Sequence, residues 1–88
     1  MSKSVMKINI AKDFSKNPAG RYISDGKYSG ESFLKNYLIP AVKTHDLVEL
    51  DFTGVRGYGS SFLEEAFGGL IRLTNMSLKD FMSKIIII

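Results

Sequence analysis

The chain has 88 residues, of which 44% are hydrophobic and 24% are charged, and it carries a net charge of +3 and no cysteine. A chain of this length forms one domain and buries about two thirds of the surface of its unfolded state. Because the composition excludes disulfides and thiolate sites, and no apolar segment approaches the ~18 residues of a membrane span, we expect a single cytoplasmic domain over residues 1–88 with no membrane partner.

The excess of positive charge lies in residues 1–28, which contain six lysine or arginine residues and two aspartates. A basic region of this kind attracts phosphates or acidic partners, so a nucleic-acid-binding module is the alternative function for this chain. Lysines on a solvent-facing edge strand also prevent that strand from pairing with other chains, and we favour this interpretation. Nucleic acid is not the expected partner, because the sequence shows no stripe of aromatic and basic residues that would stack bases.

Two short antiparallel strands are predicted in the first third of the chain. Residues 6–10 alternate between apolar and polar side chains, which is typical of a half-buried strand. Residues 17–20 contain proline and glycine and form a turn. Residues 21–23 then form a second strand, which the Asp-Gly dipeptide at residues 25–26 closes.

The first main helix follows, with Ser29 as its cap. Apolar residues recur at four-residue spacing between residues 33 and 42 and form a wide apolar face. Pro40 removes a hydrogen-bond donor and clashes with the carbonyl of Asn36, so a kink or a broken last turn is expected. His45 follows the helix and is interpreted as structural, because no second ligand or nucleophile is near it in the sequence.

The next predicted strand covers residues 47–52 and carries Glu49 on one face. A fully buried parallel strand would be apolar on both faces, so the second face of this strand is expected to be incompletely covered. Asp51 lies at the carboxyl end, where open α/β sheets bind their ligands. The alternative role of Asp51, which we favour, is to hold the backbone of the turn at residues 53–54.

The glycine-rich turn at residues 54–59 matches neither of two nucleotide-binding motifs. Its spacing resembles a P-loop, but Ser60 stands where the lysine that contacts the β- and γ-phosphates is required. It also begins like a dinucleotide-binding fingerprint, but Phe62 stands in place of the third glycine. The turn is instead predicted to bend sharply and to present Arg56 and Tyr58 at the surface.

A second main helix opens directly after this turn. Ser61 and Glu64 form a capping box, which predicts Ser61 as the N-cap and leaves Ser60 one residue earlier and more exposed. Gly68 and Gly69 within the helix indicate close packing of its backbone on the sheet or on a partner.

The last predicted elements are a short helix over residues 77–84 and a buried strand over residues 84–88, which contains four consecutive isoleucines. This strand is apolar on both faces, and burying each isoleucine side chain would stabilise the protein by roughly 1.5–3 kcal/mol. We therefore expect the chain to form a homo-oligomer through this strand, or to be poorly soluble.

Six segments carry a resemblance to a known family: PAGRY (18–22), DG (25–26), SGESF (29–33), PA (40–41), LDFTGV (50–55) and SSFLEEAFGGL (60–70). Together they resemble the bacterial STAS-like domain of unknown function over about residues 14–88, and the last segment is the most specific. The resemblance implies the STAS fold of anti-sigma-factor antagonists. For this chain we therefore expect a single α/β domain with a mixed sheet of about four strands, two main helices and a short third helix.

In those antagonists a histidine-kinase-like protein kinase phosphorylates a serine at the start of the helix that follows the central strand. The resemblance places this serine at Ser60, with Ser61 one residue away, and implies a histidine-kinase-like ATPase as the partner. The antagonists usually have aspartate before this serine and glycine soon after it, where this chain has Gly59 and Phe62. STAS domains also continue into at least one further helix, so the resemblance implies either a truncated form or a minimal member.

The expected function is a noncatalytic switch domain that binds a protein partner through residues 54–67. An enzyme is not expected, because neither serine has a base evident in the sequence and a single histidine forms no triad or metal motif. No cofactor and no metal are expected. The predicted phosphorylation residues are Ser60 and Ser61, and the predicted partner-binding residues are Asp51, Gly54, Arg56, Gly57, Tyr58, Gly59, Ser60, Phe62 and Glu64.

Overall fold

The sheet of the computed structural model, which describes residues 3–88, contains three parallel strands in the order β1-β2-β3. Strand β1 spans Val5–Asn9, β2 spans Leu47–Asp51 and β3 spans Ile85–Ile87. Parallel neighbours need a crossover connection, and here helices connect each pair. All three strands therefore end at the same edge of the sheet.

Four helices accompany the sheet in the described part of the chain. Helices α2 (residues 30–44) and α3 (residues 60–74) each have a π-helical turn between two α-helical parts, whereas α1 and α4 are short. The prediction of a short helix before the last strand is confirmed. The bounds are Ile10–Asp13 for α1; Gly30–Phe33, Leu34–Leu38 (π) and Ile39–Thr44 for α2; Ser60–Leu63, Glu64–Gly68 (π) and Gly69–Thr74 for α3; Leu78–Lys84 for α4; and Ile23–Asp25 for a 3₁₀ turn between α1 and α2.

Core side chains come from one face of the sheet and from the inner faces of α2 and α3. Val48 and Leu50 of β2 are fully buried, whereas Glu49 between them is half-buried on the opposite face. The prediction that the second face of this strand is incompletely covered is therefore confirmed. The other buried apolar side chains are Ile8, Ile10, Phe33, Leu34, Leu38, Ala41, Phe62, Ala66, Leu70 and Ile85.

Helices α2 and α3 approach each other closely at two glycines. A Cβ on Gly30 would lie 2.5 Å from the carbonyl oxygen of Phe62, and a Cβ on Gly69 would lie 2.5 Å from Cδ2 of Leu34. The close packing predicted for the glycine pair of α3 is therefore found at Gly69, where the neighbour is helix α2. Gly68 has room for a side chain, because the nearest atom to a Cβ there would be 3.9 Å away.

The α/β class is confirmed, but the described sheet is parallel rather than mixed and has three strands rather than about four. The strand predicted for residues 21–23 does not form. The three N–H groups of this segment donate to carboxylates, two of them to Oδ2 of Asp25 at 3.2 and 2.9 Å and the third to Oε1 of Glu31 at 2.8 Å. Because these donors are already paired, they are not available to a neighbouring strand.

Pro40 does not break helix α2, which continues to Thr44. The π-helical turn Leu34–Leu38 lies directly before the turn that contains the proline. This wider turn changes the register of the carbonyl groups that precede Pro40, so the expected broken last turn is not observed. Helix α3 has the same kind of turn over Glu64–Gly68 without a proline, so Pro40 alone does not account for it.

Only the first isoleucine of the C-terminal strand is buried. Ile85 is 6% exposed, whereas Ile86, Ile87 and Ile88 are 39%, 56% and 57% exposed. The prediction of a buried strand is therefore wrong for the chain on its own. The physical reason is that β3 is an edge strand of a sheet whose second face is open.

Candidate functional site

The candidate site lies at the edge of the sheet where the parallel strands end, and it begins with Asp51, the last residue of β2. Oδ1 of Asp51 accepts a hydrogen bond from the N–H of Thr53 at 2.8 Å. Hydrogen bonds from Thr53 lower the pKa of the Asp51 carboxyl below its usual value. In this geometry Asp51 holds the turn at residues 53–54, which is the role that the sequence favoured.

Residues 54–59 form an exposed loop whose base is attached to α1 and to the segment that follows α1. Gly54 has a φ of 87°, and a Cβ there would lie 3.3 Å from Cβ of Ala11. The left-handed conformation and the close approach both favour glycine at this position. The N–H of Arg56 donates to the carbonyl oxygen of Lys16 at 2.7 Å. The loop therefore has a fixed base, and its outer part faces solvent.

The outer part of the loop presents an aromatic ring. Tyr58 is 51% exposed, and its ring centroid lies 5.3 Å from that of Phe52. A Cβ on Gly57 or Gly59 would meet no atom within 4 Å, so neither glycine is required by packing. Arg56 is also exposed. The predicted presentation of Tyr58 and Arg56 at the surface is therefore confirmed.

Helix α3 begins two residues earlier than the predicted N-cap at Ser61 implies. Gly59 is the N-cap, Ser60 is the first helical residue, and no side chain caps the helix. The predicted N-cap role of Ser61 and its capping box with Glu64 are therefore wrong. The carbonyl oxygen of Gly59 accepts the N–H of Phe62 at 3.1 Å, while the N–H groups of Ser60 and Ser61 donate to no acceptor in the described chain.

The first three residues of α3 differ in exposure. Ser60 is exposed, and Ser61 is half-buried. Phe62 is 1% exposed, and its ring centroid lies 6.0 Å from that of Phe14 and 5.7 Å from that of Phe33. Phe62 therefore belongs to the core, and its predicted contact with a partner is wrong because a buried ring cannot reach one.

Glu64 faces Arg21 rather than the start of its own helix. Nη2 of Arg21 lies 2.8 Å from Oε2 of Glu64, and Nη1 lies 3.9 Å from Oε1 of Glu65. The hydrogen bond that Arg21 donates to Glu64 raises the pKa of Arg21 above its usual value. Glu65 is 7% exposed, and its Oε2 also lies 3.3 Å from Nη2 of Arg72. We call these four side chains the arginine–glutamate cluster, which joins the segment before α2 to helix α3.

Sequence reasoning missed Arg21 as a neighbour of the site. Arg21 and Glu64 are 43 residues apart, so no local spacing relates them. The one available signal was the net positive charge of residues 1–28, and this charge does not indicate which acidic side chain lies opposite. An exposed ion pair such as that of Arg21 and Glu64 typically contributes about 0–1 kcal/mol, so this pair affects the charge of α3 more than the stability of the fold.

The groups around Ser60 and Ser61 are backbone N–H groups, a hydroxyl and an exposed aromatic ring, which suit the binding of an anion or of a protein surface. His45 lies elsewhere, with Nδ1 2.8 Å from Oγ1 of Thr44 after helix α2. Within residues 3–88, no group of three His, Cys, Asp or Glu side chains is arranged to hold a metal ion. No helix in the same range is long and apolar enough to cross a membrane.

The family model of the STAS-like domain of unknown function (DUF4325) matches residues 29–88. The match begins at the residue before α2 and ends after β3, so it contains the loop at residues 54–59 and helix α3 but not Arg21. It does not include β1 and α1, and it starts later than the resemblance read from the sequence, which began at about residue 14. Neither a curated protein nor a solved structure shows significant similarity to the chain.

Proposed function

Because this chain belongs to the family of STAS-like domains of unknown function, we propose that it is a noncatalytic switch domain that binds a protein partner. The partner contacts the exposed loop at residues 54–59 and the start of α3, and phosphorylation of Ser60 controls that contact. We assign the protein to the cytoplasm, where a chain without cysteine is unaffected by reducing conditions.

The observation that carries this proposal is the open start of helix α3. Ser60 is exposed, and the N–H groups of Ser60 and Ser61 have no acceptor in the described chain. A phosphate at this position gains about 0.3–1 kcal/mol from the helix dipole and can accept hydrogen bonds from these donors. Ser61 is half-buried, so the difference in exposure favours Ser60 as the modified residue.

The surrounding charges are compatible with a phosphate. Two glutamates lie in the π-helical turn of α3 and would repel a phosphate if they were unpaired. Glu64 is paired with Arg21, and Glu65 lies between Arg21 and Arg72. Arg56 belongs to none of the ion pairs among residues 3–88, so its guanidinium is free to pair with a phosphate in the same loop.

The exposed loop has the residue types of a protein interface. Tyrosine and arginine are enriched at interfaces and often contribute most of the binding energy, and here Tyr58 and Arg56 occupy neighbouring exposed positions. The resemblance to anti-sigma-factor antagonists suggests a histidine-kinase-like ATPase as the partner. Phosphorylation would then change the charge of this surface by about −1.5 to −2 with little change in the core.

The experiment compares four forms of the chain for binding to the histidine-kinase-like ATPase proposed as its partner. The forms are the unmodified chain, the chain with phosphoserine at position 60, Ser60→Ala and Ser60→Asp. Calorimetry gives the dissociation constants, and circular dichroism shows whether each form is folded. We expect the unmodified chain and Ser60→Ala to bind alike, and the phosphorylated form to bind at least tenfold more weakly or more tightly.

The matched control is Ser61→Ala, which removes the neighbouring hydroxyl from the same helix turn. If all folded forms bind the ATPase with the same affinity, Ser60 is only the first residue of a helix and the switch proposal fails. If phosphoserine at position 61 has the larger effect, the switch residue is Ser61 instead.

We also propose that the chain self-associates through β3. Three of its four C-terminal isoleucines are exposed, and β3 has an unpaired edge in the described sheet. Exposed apolar edge strands pair with other chains. Sedimentation over micromolar concentrations should show a dimer or larger species, which Ile87→Lys should convert to monomer. A monomer that binds no dye for exposed apolar surface would contradict the proposal.

A further inference from the structure

A groove on the outside of helix α2 combines three aromatic rings with polar groups. It is shallow and open to solvent, and it has a volume of about 310 Å³. This volume is at the lower end of the range for small-molecule sites, which are usually lined by aromatic side chains and a few convergent polar groups. The groove is lined by Phe14, Lys27, Tyr28, Ser32, Asn36 and Tyr37, and we call it the aromatic groove.

The aromatic walls of the groove are held by the core. The ring of Phe14 meets the rings of Tyr28 and Tyr37 edge-on, with centroid distances of 5.4 Å to each. Phe14 also packs on the buried ring of Phe33 at 5.0 Å. The hydroxyl of Tyr37 donates to the carbonyl oxygen of Asp13 at 2.8 Å, which joins α1 to α2. The site is therefore formed before any ligand binds.

The charge of the groove selects the kind of ligand. Nζ of Lys27 lies 5.5 Å from the ring centroid of Tyr28, and Lys27 belongs to none of the ion pairs among residues 3–88. No acidic side chain lines the groove. The nearby acid of α2, Glu31, is already paired with Lys35 at 3.0 Å. The charged side chain that lines the groove is therefore a cation, which favours an anion as the ligand.

We propose that the aromatic groove binds a small molecule that carries a planar ring and one negatively charged group. The ring packs against the walls formed by Tyr28 and Phe14, with the offset or edge-on geometry that aromatic pairs prefer. The anionic group lies at the rim beside Lys27. Asn36 supplies a further amide, whose Nδ2 has one long contact of 3.4 Å with Oγ of Ser32 in the described chain. An amide held this weakly can turn towards a ligand.

The test uses indole-3-acetate, its neutral isostere indole-3-acetamide, and acetate. Each is titrated into the full chain while NMR records the backbone amides and the side-chain amide of Asn36. We expect indole-3-acetate to shift the groove residues and to bind about tenfold more tightly than the acetamide, as for a hydrogen bond to a charged group. Acetate alone should bind too weakly to saturate, because it has no ring.

Variants of the chain test separately the residue that contacts the anionic group, Lys27, and the residue that contacts the ring, Tyr28. Lys27→Gln should remove the preference for the acid over the amide, whereas Lys79→Gln, which loses the same charge on helix α4, should leave it unchanged. Tyr28→Phe should bind as the parent does, and Tyr28→Ala should lose about tenfold for both indoles, since stacking on an aromatic ring is lost. The amide spectrum of each variant shows that it is folded.

Three outcomes would overturn the proposal. The first is equal affinity of the parent for the acid and the amide, and the second is a set of shifts that lies outside the groove. The third is stronger binding of a single-stranded oligonucleotide by the same residues, with an affinity that falls steeply with salt, because the ligand would then be a nucleic acid.

Discussion

Helices α2 and α3 have the same length and the same π-helical turn, but their first turns are satisfied in different ways. The first three N–H groups of α2 all have acceptors: the carbonyl oxygens of Gly20 and Arg21, each at 2.9 Å, and Oγ of Ser29 at 3.2 Å. Helix α3 begins after a glycine N-cap, and the N–H groups of Ser60 and Ser61 have no acceptor in the described chain.

The difference shows how one element can serve stability in one place and binding in another. The start of α2, which we call the closed start, is covered by its own chain and by a cap, Ser29, that is fully buried. The start of α3, which we call the open start, keeps its donors at an exposed surface, where water, a phosphate or a partner can accept hydrogen bonds from them. Changes at the start of α2 should therefore affect folding, and changes at the start of α3 should affect recognition.

The largest effect is expected for Gly30→Ala at the closed start. A Cβ there would lie 2.5 Å from the carbonyl oxygen of Phe62 and 3.2 Å from the backbone nitrogen of Ala66, and backbone atoms cannot move aside as a side chain can. We expect a loss of about 3 kcal/mol in the free energy of unfolding, measured by urea denaturation. Gly68→Ala, which has room, should instead gain up to about 1 kcal/mol. Equal effects of the two changes would show that the helices do not pack as described.

The next effect is expected for removal of the cap. Ser29→Ala leaves the N–H of Ser32 unsatisfied at a partly buried position and should cost about 1–2 kcal/mol in the free energy of unfolding. Ser61→Ala at the open start should change the same quantity by less than about 0.5 kcal/mol, because its hydroxyl caps nothing. A larger loss for Ser61→Ala than for Ser29→Ala would reverse the comparison.

A smaller effect is expected for Glu31→Gln near the closed start, which should change how the free energy of unfolding depends on acid pH. The pKa of Glu31 is lowered from its ordinary value of 4.5 by the hydrogen bond from the N–H of Ile23 and by Lys35. A carboxyl with a lowered pKa in the folded state stabilises the protein above its unfolded pKa, and this contribution is lost as the pH falls through the folded pKa. Glu31→Gln should therefore make the unfolding free energy fall less steeply on acidification than in the parent. An unchanged slope would mean that Glu31 is not the group responsible.

The smallest effect is expected for Ser60→Asp at the open start. A negative charge at the first helical position should stabilise the helix by about 0.3–1 kcal/mol at low ionic strength, and salt should screen most of this gain. Thermal unfolding of Ser60→Asp and Ser60→Asn at low and high salt measures the difference. If the two variants have the same melting temperature at low salt, the open donors do not favour an anion.

Local patterns were sufficient for the elements that local chemistry decides. The spacing of apolar residues predicted the first main helix, Ser29 was identified as its cap, and the half-open sheet followed from Glu49 alone. The family resemblance then indicated the α/β class. These predictions depend on residues within a few positions of each other, so sequence reasoning could reach them.

The errors arise where a polar group bonds to a partner other than the one that the local pattern indicates. The S-x-x-E pattern at residues 61–64 was read as a capping box, but Glu64 forms a salt bridge with the distant residue Arg21 instead. The strand predicted for residues 21–23 loses its donors to the carboxylates of Asp25 and Glu31. The aromatic groove was not evident either, because helix α2, the loop before it and the residue after α1 meet only in the folded chain.

The parallel order of the strands has a consequence for the rate at which the protein folds. Ser4 and Asp46, which flank the first strand pair, are 42 residues apart, and two helices separate the second pair. No hairpin can therefore initiate the sheet. Both strand pairings require the closure of long loops, which costs chain entropy before any pairing forms. We expect refolding to be slower than that of a helical bundle of this length. During this delay the isoleucine strand is unpaired, so the yield of refolded protein should fall as its concentration rises.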